Sequence, residues 1–412
     1  MKMKLSNLTP KKLLPLFICS LFYISSSAQQ TAVHNHENGT CDHFSHSCGK
    51  GLEVKLGSKE RTPIKRLVDP TRRSVTCTNV SNFVPTYDSD MPTAAQTAFD
   101  YALDLMEDIF VADVDITLDV VWEDVPGNVI GFAGSGAWRA NLSFHPEPNK
   151  WYPEVLTNEY KGSQHNSSAD VDVTLDSSAN WYFGTDGNPA WNEIDLVSVI
   201  IHEVSHGLGF TGTANSNGLP LNTTVGWLTW PNIYDPFVED GNGVSVLGLP
   251  INSQTLLDAL TSDDLFFNGF YTNGSNGGSP AKLKSDAPYV QGSSYSHLAD
   301  EFDDETMRSF IVTGDAIHTM DTIGISMMRD MGWQVCNDNC PDEMTVSNGN
   351  ELDGNQTHQA AFESDGDIES IQDISGGIDV FYDSQTSIEL LSGFEVDANT
   401  NFEAFINGCG DN

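Results

Sequence analysis

The stretch Ile200-Ile-His-Glu-Val-Ser-His-Gly-Leu-Gly-Phe210 carries two histidines four residues apart. On an α-helix, side chains at this spacing project from one face, so His202 and His206 can contact the same metal ion. Two neutral imidazoles arranged in this way suit Zn²⁺, with nitrogen-to-zinc distances of about 2.0–2.1 Å. Glu203 follows His202 and can act as general base on a zinc-bound water. The pattern therefore predicts a zinc site on a helix.

The residues on either side of this motif indicate a buried helix with a defined end. Residues 194–201 are mostly apolar, which is typical of a helix in a domain core. Gly207 and Gly209 are expected to end the helix, because glycine adopts the left-handed cap conformation without steric cost. A core helix that carries two histidines and a glutamate by chance is the plain alternative. The glycine-ended context favours zinc-hydrolase chemistry over that alternative.

Two histidines do not complete a catalytic zinc site, which needs three protein ligands and an open position for water. The next histidine in the chain is His297, within Gly292-Ser-Ser-Tyr-Ser-His-Leu-Ala-Asp-Glu301. His318 is the other downstream candidate before the C-terminal region. We expect His318 to be structural, at the start of a last helix that spans 317–331 and ends at Gly332.

The segments 202–210 and 296–301, followed by Met307, resemble the leishmanolysin-like branch of the metzincin zinc proteases. In that branch a long insertion separates the second and third histidines, and a methionine turn follows the third. Gly212 stands where short-spaced metzincins carry the third ligand, so this chain departs from the short pattern. The residues around Met307 also differ from the usual turn sequence.

The resemblance covers roughly residues 80–335 and implies a role for each matching position. The implied zinc ligands are His202, His206 and His297, with Glu203 as catalytic base and Met307 beneath the metal. Some relatives place a tyrosine shortly after the methionine to stabilise the oxyanion, but none stands there in this chain. We therefore assign no residue to that role.

The N-terminal residues 1–28 have the pattern of a secretory signal peptide. Four lysines precede an apolar run from Leu13 to Ile24, and Ser25-Ser-Ser-Ala28 offers a small-residue cleavage site. The apolar run is too short for a comfortable membrane span, and no later segment qualifies. We expect a secreted, extracellular protein without a transmembrane segment.

The charge of the chain is divided unevenly, and this predicts a propeptide. Of the 19 Lys and Arg residues, 12 lie in residues 1–73, whereas residues 74–412 carry 53 of the 58 Asp and Glu residues. A basic leader on an acidic body suggests that residues 29–73 dock on the body and are later removed, with Thr71-Arg-Arg-Ser74 as a processing site. An ordered N-terminal extension is the alternative. The net charge of −39 argues against nucleic acid as a partner.

The leader also contains His34-Asn-His-Glu-Asn-Gly-Thr-Cys-Asp-His-Phe-Ser-His-Ser-Cys48. Cys41 or Cys48 can occupy the open zinc position until the leader is cut, the tract can bind a metal by itself, or the two cysteines can form a disulfide. Without the signal peptide six cysteines remain, an even number that suits disulfides outside the cell. Their pairing stays open.

The remaining pattern predicts an α+β fold. Residues 74–335 are expected to form a metzincin-like catalytic domain, with a twisted mixed sheet, an active-site helix and a C-terminal helix. Predicted elements include a helix from 93 to about 109, a strand at 115–122 and a half-exposed strand at 170–176. Residues 336–350 read as a linker and 351–412 as a small, all-β, stacked or solenoid-like domain. That domain resembles short tails on exported proteins of the Bacteroidetes, which implies surface retention, sorting or substrate binding.

These features predict a secreted zinc-dependent endopeptidase that acts on protein or peptide substrates. Two alternatives stay open: a zinc hydrolase of a non-peptide amide or ester, and a cell-surface binding or adhesion protein with a structural metal site. Glu203 favours catalysis, because a structural site has no need of a base beside its first ligand. Calcium is a secondary candidate at the acidic loops 185–188, 239–242 and 300–305.

Overall fold

The structure is a computed structural model, and it describes residues 30–33, 52–67, 81–125, 129–216, 225–226, 230–290, 292–336, 351–352 and 354–406. Several sequence predictions lie outside these residues. They are the signal peptide at 1–28, the tract 34–48, the processing site at 71–74 and the linker from residue 337 to residue 350. Among the described residues, no helix combines the length and apolar character needed to cross a bilayer.

Helix α1 follows the periodicity predicted for residues 93–109. In α1 the buried residues recur at three- and four-residue spacing, which places one apolar face on the core. The helices are α1 (Thr93–Glu107), α2 (Glu154–Lys161), α3 (Leu196–Gly207), α4 (Gln254–Leu260), α5 (Phe270–Ser275) and α6 (Thr322–Asp330).

The strands fall into three groups along the chain. The leader contains β1 (Gln30–Val33), β2 (Glu53–Lys55) and β3 (Lys65–Arg66). The body contains β4 (Phe83–Tyr87), β5 (Phe110–Val111), β6 (Ile116–Glu123), β7 (Gly131–Ser135), β8 (Ala137–Ala140), β9 (Tyr152–Pro153), β10 (Val171–Asp176), β11 (Trp181–Tyr182), β12 (Ile194–Asp195), β13 (Asn215–Ser216), β14 (Val225–Gly226), β15 (Val238–Asp240), β16 (Leu265–Phe267), β17 (Ala281–Lys282), β18 (Phe310–Val312), β19 (Ala316–Ile317) and β20 (Gln334–Val335). The tail contains β21 (Glu351–Leu352), β22 (Asn355–Gln356), β23 (Ala360–Ser364), β24 (Asp367–Ser370), β25 (Asp373–Ile374), β26 (Asp379–Ser384), β27 (Ser387–Leu390), β28 (Glu395–Val396) and β29 (Asn401–Phe405).

The central sheet of the body has the strand order β4-β6-β10-β7. Strands β4, β6 and β10 run parallel, and β7 pairs antiparallel with β10 at the edge. Helix α3 packs against β7 and β10, and α1 packs against α3 and β4. The fold is therefore α+β, as the sequence predicts, and the two-histidine motif lies on the helix that covers the sheet.

A strand forms at residues 171–176 as predicted, but the prediction that it is half-exposed is wrong. The strand lies between β6 and β7, and its residues are buried apart from Asp172, which is partly exposed. Two of the three acids, Asp170 and Asp176, are buried and accept hydrogen bonds. Asp170 accepts the Thr117 N–H at 2.8 Å, and Asp176 accepts the Ser178 N–H at 2.9 Å. Burial of a carboxylate is tolerated when such donors are present.

The last helix of the body begins later than the sequence predicts. Helix α6 starts at Thr322, because Ala316 and Ile317 form β19 and pair with the leader strand β3. Asp321 caps the helix by accepting the Gly324 N–H at 2.7 Å. Gly332 then ends the helical region with a φ of +105°, a conformation that favours glycine.

The tail consists of three stacks of parallel strands. The stacks have the orders β21-β24-β27, β22-β25-β28 and β23-β26-β29, so each turn of chain lies directly on the one before it. Inward-facing residues of successive turns form a separate apolar core, comprising Leu352, Ala360, Phe362, Ile368, Ile374, Val380 and Tyr382. The sheets are stacked as predicted, because each turn buries its apolar face only against its neighbours.

Candidate metal centre

Helix α3 begins at a side-chain cap and is buried along its whole length. Asp195 accepts the Ser198 N–H at 2.9 Å and the Ser198 hydroxyl at 2.7 Å, which satisfies the first turn. Each residue from Leu196 to Gly207 is buried. The helix ends where predicted, and Gly209 follows with a φ of +115°. The two-histidine motif therefore lies on a helix whose every side is packed against the core.

Three histidines converge at one point in this core. The Nε2 atoms of His202 and His206 lie 3.0 Å apart, those of His206 and His297 lie 3.1 Å apart, and those of His297 and His202 lie 3.2 Å apart. All three side chains are buried, with exposed fractions of 1–2%. His297 comes from a loop 91 residues after His206. The three imidazoles form a group that can hold a metal ion.

Each imidazole is oriented by a backbone carbonyl on its other nitrogen. The Nδ1 atom of His202 lies 2.8 Å from the Thr306 oxygen, that of His206 2.6 Å from the Phe210 oxygen, and that of His297 2.9 Å from the Ser293 oxygen. A carbonyl oxygen only accepts, so each Nδ1 carries the proton and each Nε2 presents a lone pair. Three lone pairs at this separation repel one another unless a cation lies between them. The donor set therefore fits a metal ion.

Burial keeps two of these imidazoles neutral. Desolvation lowers the pKa of His202 to about 4, against which its bond to the Thr306 carbonyl acts only weakly. Burial also lowers the pKa of His206 well below its ordinary value, and the neighbouring His202 and His297 add to the effect. Neutral imidazole is the form that ligates metals. The site is thus ready for a metal ion at neutral pH.

Glu203 lies within the same buried region. Its side chain is 1% exposed, and its Oε1 atom has no hydrogen-bond partner among the described residues. Burial raises its pKa to about 8, and the opposing effect of the Ala133 backbone N–H in β7 is smaller. A buried carboxyl oxygen without a donor is uncommon and calls for a functional account. A metal ion with its bound water would supply the missing partner and would favour the ionised carboxylate.

The loop that carries His297 packs on Gly212, the residue that stands at the short-spaced ligand position. A Cβ atom at Gly212 would lie 2.0 Å from Cε1 of Tyr295, so only glycine admits this ring. The Gly212 N–H also donates to the Ser296 hydroxyl at 3.0 Å. Gly212 therefore allows the Tyr295–His297 loop to approach, and the third histidine comes from that loop.

A buried carboxylate holds this loop by hydrogen bonds. It was not identified from the sequence. Asp235 is fully buried and accepts the Tyr295 hydroxyl at 3.0 Å, the Thr213 N–H at 2.9 Å and the Asn232 N–H at 2.9 Å. Tyr234 adds a bond from its hydroxyl to the Tyr295 carbonyl at 2.9 Å. The aromatic segment 230–237 was recognised in the sequence only as an ordered loop. Its link to His297 depends on contacts about 60 residues apart.

Met307 lies in the backbone segment that contacts both His202 and the chain beside His297. It is fully buried. Its neighbour Thr306 provides the carbonyl that orients His202, and the Met307 carbonyl accepts the Leu298 N–H at 2.9 Å, one residue after His297.

His318 does not join the group at the centre of the site. Its Nε2 atom lies 2.8 Å from the Asp195 carboxylate, which caps α3, and its side chain is buried. The adjacent residue in β19 reinforces this contact, since the Ile317 N–H donates to the Ser198 hydroxyl at 2.7 Å. His318 thus holds the start of α3, in keeping with a structural role.

The acidic loop at 300–305 has basic neighbours. Lys284 lies 2.9 Å from Asp300, and Arg66 of the leader lies 3.2 Å from Glu305. Among the described residues, the group of three or more potential ligands is the histidine triad. Calcium at this loop stays an untested prediction. The lysine and arginine contacts already provide positive charge beside Asp300 and Glu305.

Comparison with known proteins finds one similar family model and one similar curated protein. A family model described as SPBPB7E8-like matches residues 147–223, which include α2, β10 and α3. An uncharacterized protein of Schizosaccharomyces pombe, PB7E8.01, is 33% identical over 92 residues. That match covers 22% of this chain and 14% of the yeast protein. The family model therefore covers the segment that carries the two-histidine helix, and the printed name of the yeast protein states no activity.

Proposed function

We propose that this protein is a secreted zinc-dependent endopeptidase of the metzincin type, with His202, His206 and His297 as ligands and Glu203 as general base. The observation that carries the proposal is the convergence of three buried imidazoles beside a buried carboxyl group. A tetrahedral zinc site with bonds of about 2.0–2.1 Å separates its nitrogens by about 3.3–3.4 Å. The Nε2 separations of 3.0–3.2 Å are close to that value.

The proposed chemistry divides between the metal and Glu203. A bound zinc ion would polarise the scissile carbonyl and lower the pKa of its water. Glu203 would accept the proton from that water and return it to the leaving amine. Its position beside His202 and its burial suit this role, because a carboxyl group shielded from bulk water can exchange a proton only within the site.

Two further observations support a secreted catalytic protein over the alternatives. Structural zinc sites are closed by four protein ligands, whereas the group found among the described residues has three. Cys336 is disulfide-bonded, which fits an oxidising compartment. A non-peptide amide or ester is the second candidate substrate, since the same three ligands and base serve either bond.

The decisive experiment compares the full chain with Glu203→Gln on casein and gelatin, with zinc content measured in both. We expect about one zinc per chain in each protein. The variant should cleave at least about 100-fold more slowly, because it lacks the general base. Removal of zinc by a chelator should abolish cleavage, and added zinc should restore it. Zinc binding without cleavage by the wild type, before and after trimming near Arg73, would reject the peptidase proposal.

A further inference from the structure

Both ends of the segment from Thr306 to His318 contact helix α3. At one end the Thr306 carbonyl orients His202. At the other, the Ile317 N–H donates to Ser198 and His318 contacts Asp195, the cap of α3. Any movement of this segment would therefore displace a ligand histidine, the helix cap or both.

The leader supplies the strand partners of this segment. Strand β2 runs parallel to β18 and β3 runs parallel to β19, and within the described residues β18 and β19 have no other strand partner. Further backbone bonds extend the pairing: the Thr313 N–H donates to the Lys55 carbonyl at 3.0 Å and the His318 N–H to the Arg66 carbonyl at 2.7 Å. Without the leader, these edges would lose their hydrogen bonds.

A shared carboxylate joins the leader to the same segment. Asp315 is fully buried, and Arg61 contacts both of its oxygens, at 2.5 and 2.9 Å. Asp315 also accepts the Ile64 N–H at 2.8 Å and lies 3.3 Å from Arg308. A two-point guanidinium–carboxylate contact is among the stronger polar interactions in proteins. Leu52 adds an apolar contact, since it is 4% exposed within the core of the body.

We propose that residues 52–67 form a permanent strap. After the chain is cut between residues 68 and 80, the segment stays bound to β18 and β19 and holds Thr306 and His318 against α3. The leader is thus an interaction partner of the mature body rather than a fragment released on cleavage. The proposal concerns binding of one segment of this chain to another and does not depend on peptidase activity.

The test uses the full chain with a specific protease site placed at residues 71–74, in the Glu203→Gln background to prevent self-cleavage. After cutting, the protein is passed through a size-exclusion column at physiological salt, and the leader fragment is identified by mass spectrometry. We expect the fragment to elute with the body, and the cut protein to retain its metal. Elution of the fragment by itself, with a body that keeps its metal and its melting temperature, would overturn the proposal.

Two variants that each remove one positive charge distinguish the Arg61–Asp315 contact from general attraction between the basic leader and the acidic body. Arg61→Met removes the bond to Asp315, whereas Lys59→Met removes an exposed charge two residues earlier, which lies 5.5 Å from the centre of the Trp191 ring. We expect the fragment to dissociate about 10- to 100-fold faster from the cut Arg61→Met protein, because the fully buried Asp315 loses its two-point partner. Lys59→Met should speed dissociation by no more than about fivefold, because an exposed cation over an aromatic ring is a weak contact. Equal effects of the two variants would show that only overall charge holds the leader, and the strap would be rejected.

Discussion

At the residue scale, the candidate site depends on one position without a side chain. Gly212 admits the ring of Tyr295, and this contact brings the loop with His297 to the other two histidines. Asp235 holds Tyr295 in place by accepting its hydroxyl at 3.0 Å. A glycine at the short-spaced ligand position is therefore a packing requirement of the long insertion, not a gap in the motif.

Gly212→Ala should weaken metal binding. The new Cβ atom would lie 2.0 Å from Tyr295 and 2.9 Å from the Asp235 carboxylate, so the loop must move and carry His297 with it. We expect metal affinity, measured by competition with a chromogenic chelator, to fall about 10- to 100-fold, as for other supporting residues around metal ligands. Gly248→Ala is the control, because its Cβ would meet no atom within 4 Å. Unchanged affinity in Gly212→Ala would contradict the packing account.

At the scale of elements, helices α5 and α6 are joined by a partly buried acid. Asp330, the last residue of α6, accepts the N–H groups of Tyr271 at 3.0 Å and Thr272 at 2.9 Å. These groups belong to the first turn of α5, where backbone donors have no partner within the helix. Burial raises the pKa of Asp330 to about 6, and its hydrogen bonds oppose this only in part.

This pKa predicts a pH-dependent stability with a definite sign. The folded pKa of Asp330 lies above the ordinary value of 3.8, so the folded state holds the proton more tightly than the unfolded chain. The resulting stability is complete below pH 3.8 and is lost as the pH rises through about 6. The whole loss amounts to about 3 kcal/mol, at roughly 1.36 kcal/mol per pKa unit.

Asp330→Asn should remove this contribution, because the amide does not titrate. We expect the difference in free energy of unfolding between wild type and variant to change by about 2 kcal/mol from about pH 4 to about pH 6.5, in favour of the variant at the higher pH. Chemical denaturation at several pH values measures it. A difference that stays constant across this range would show that the carboxyl group has its ordinary pKa.

At the scale of the whole molecule, the tail packs closely on the body. Arg329 of α6 lies 2.5 Å from Glu363 of β23, and both side chains are largely buried. The Asn273 side chain donates to the Gln359 carbonyl at 2.7 Å, and Phe270 packs edge-on against Phe381. Contacts of this kind position the tail against α5 and α6.

Gly274→Ala should separate the tail from α5. In an exposed helix this change is favourable by about 1 kcal/mol, but here the Cβ would lie 1.6 Å from the Ala361 carbonyl oxygen. We expect destabilisation by about 1–3 kcal/mol, with faster hydrogen exchange in β23. Gly248→Ala again serves as the control. A stabilised Gly274→Ala protein would mean that the tail does not pack on α5 in solution.

The sequence alone determined the features that depend on local spacing. A four-residue interval places His202 and His206 on one helical face wherever that helix lies, and alternation predicts the strand at β6 and the stacked strands of the tail. Glycine at 209 ends the helix because of its own conformational freedom. His297 and Met307 were named from the resemblance to a family, since no local pattern distinguishes them.

Only the tertiary structure decided what joins distant parts of the chain. The Asp235–Tyr295 bond, the pairing of the leader with β18 and β19, and the burial of β10 each depend on residues far apart in sequence. Alternating acids in β10 suggested exposure, because a sequence pattern records polarity but not the donors that satisfy it. Such contacts are set by how elements pack, and packing is a property of the folded chain.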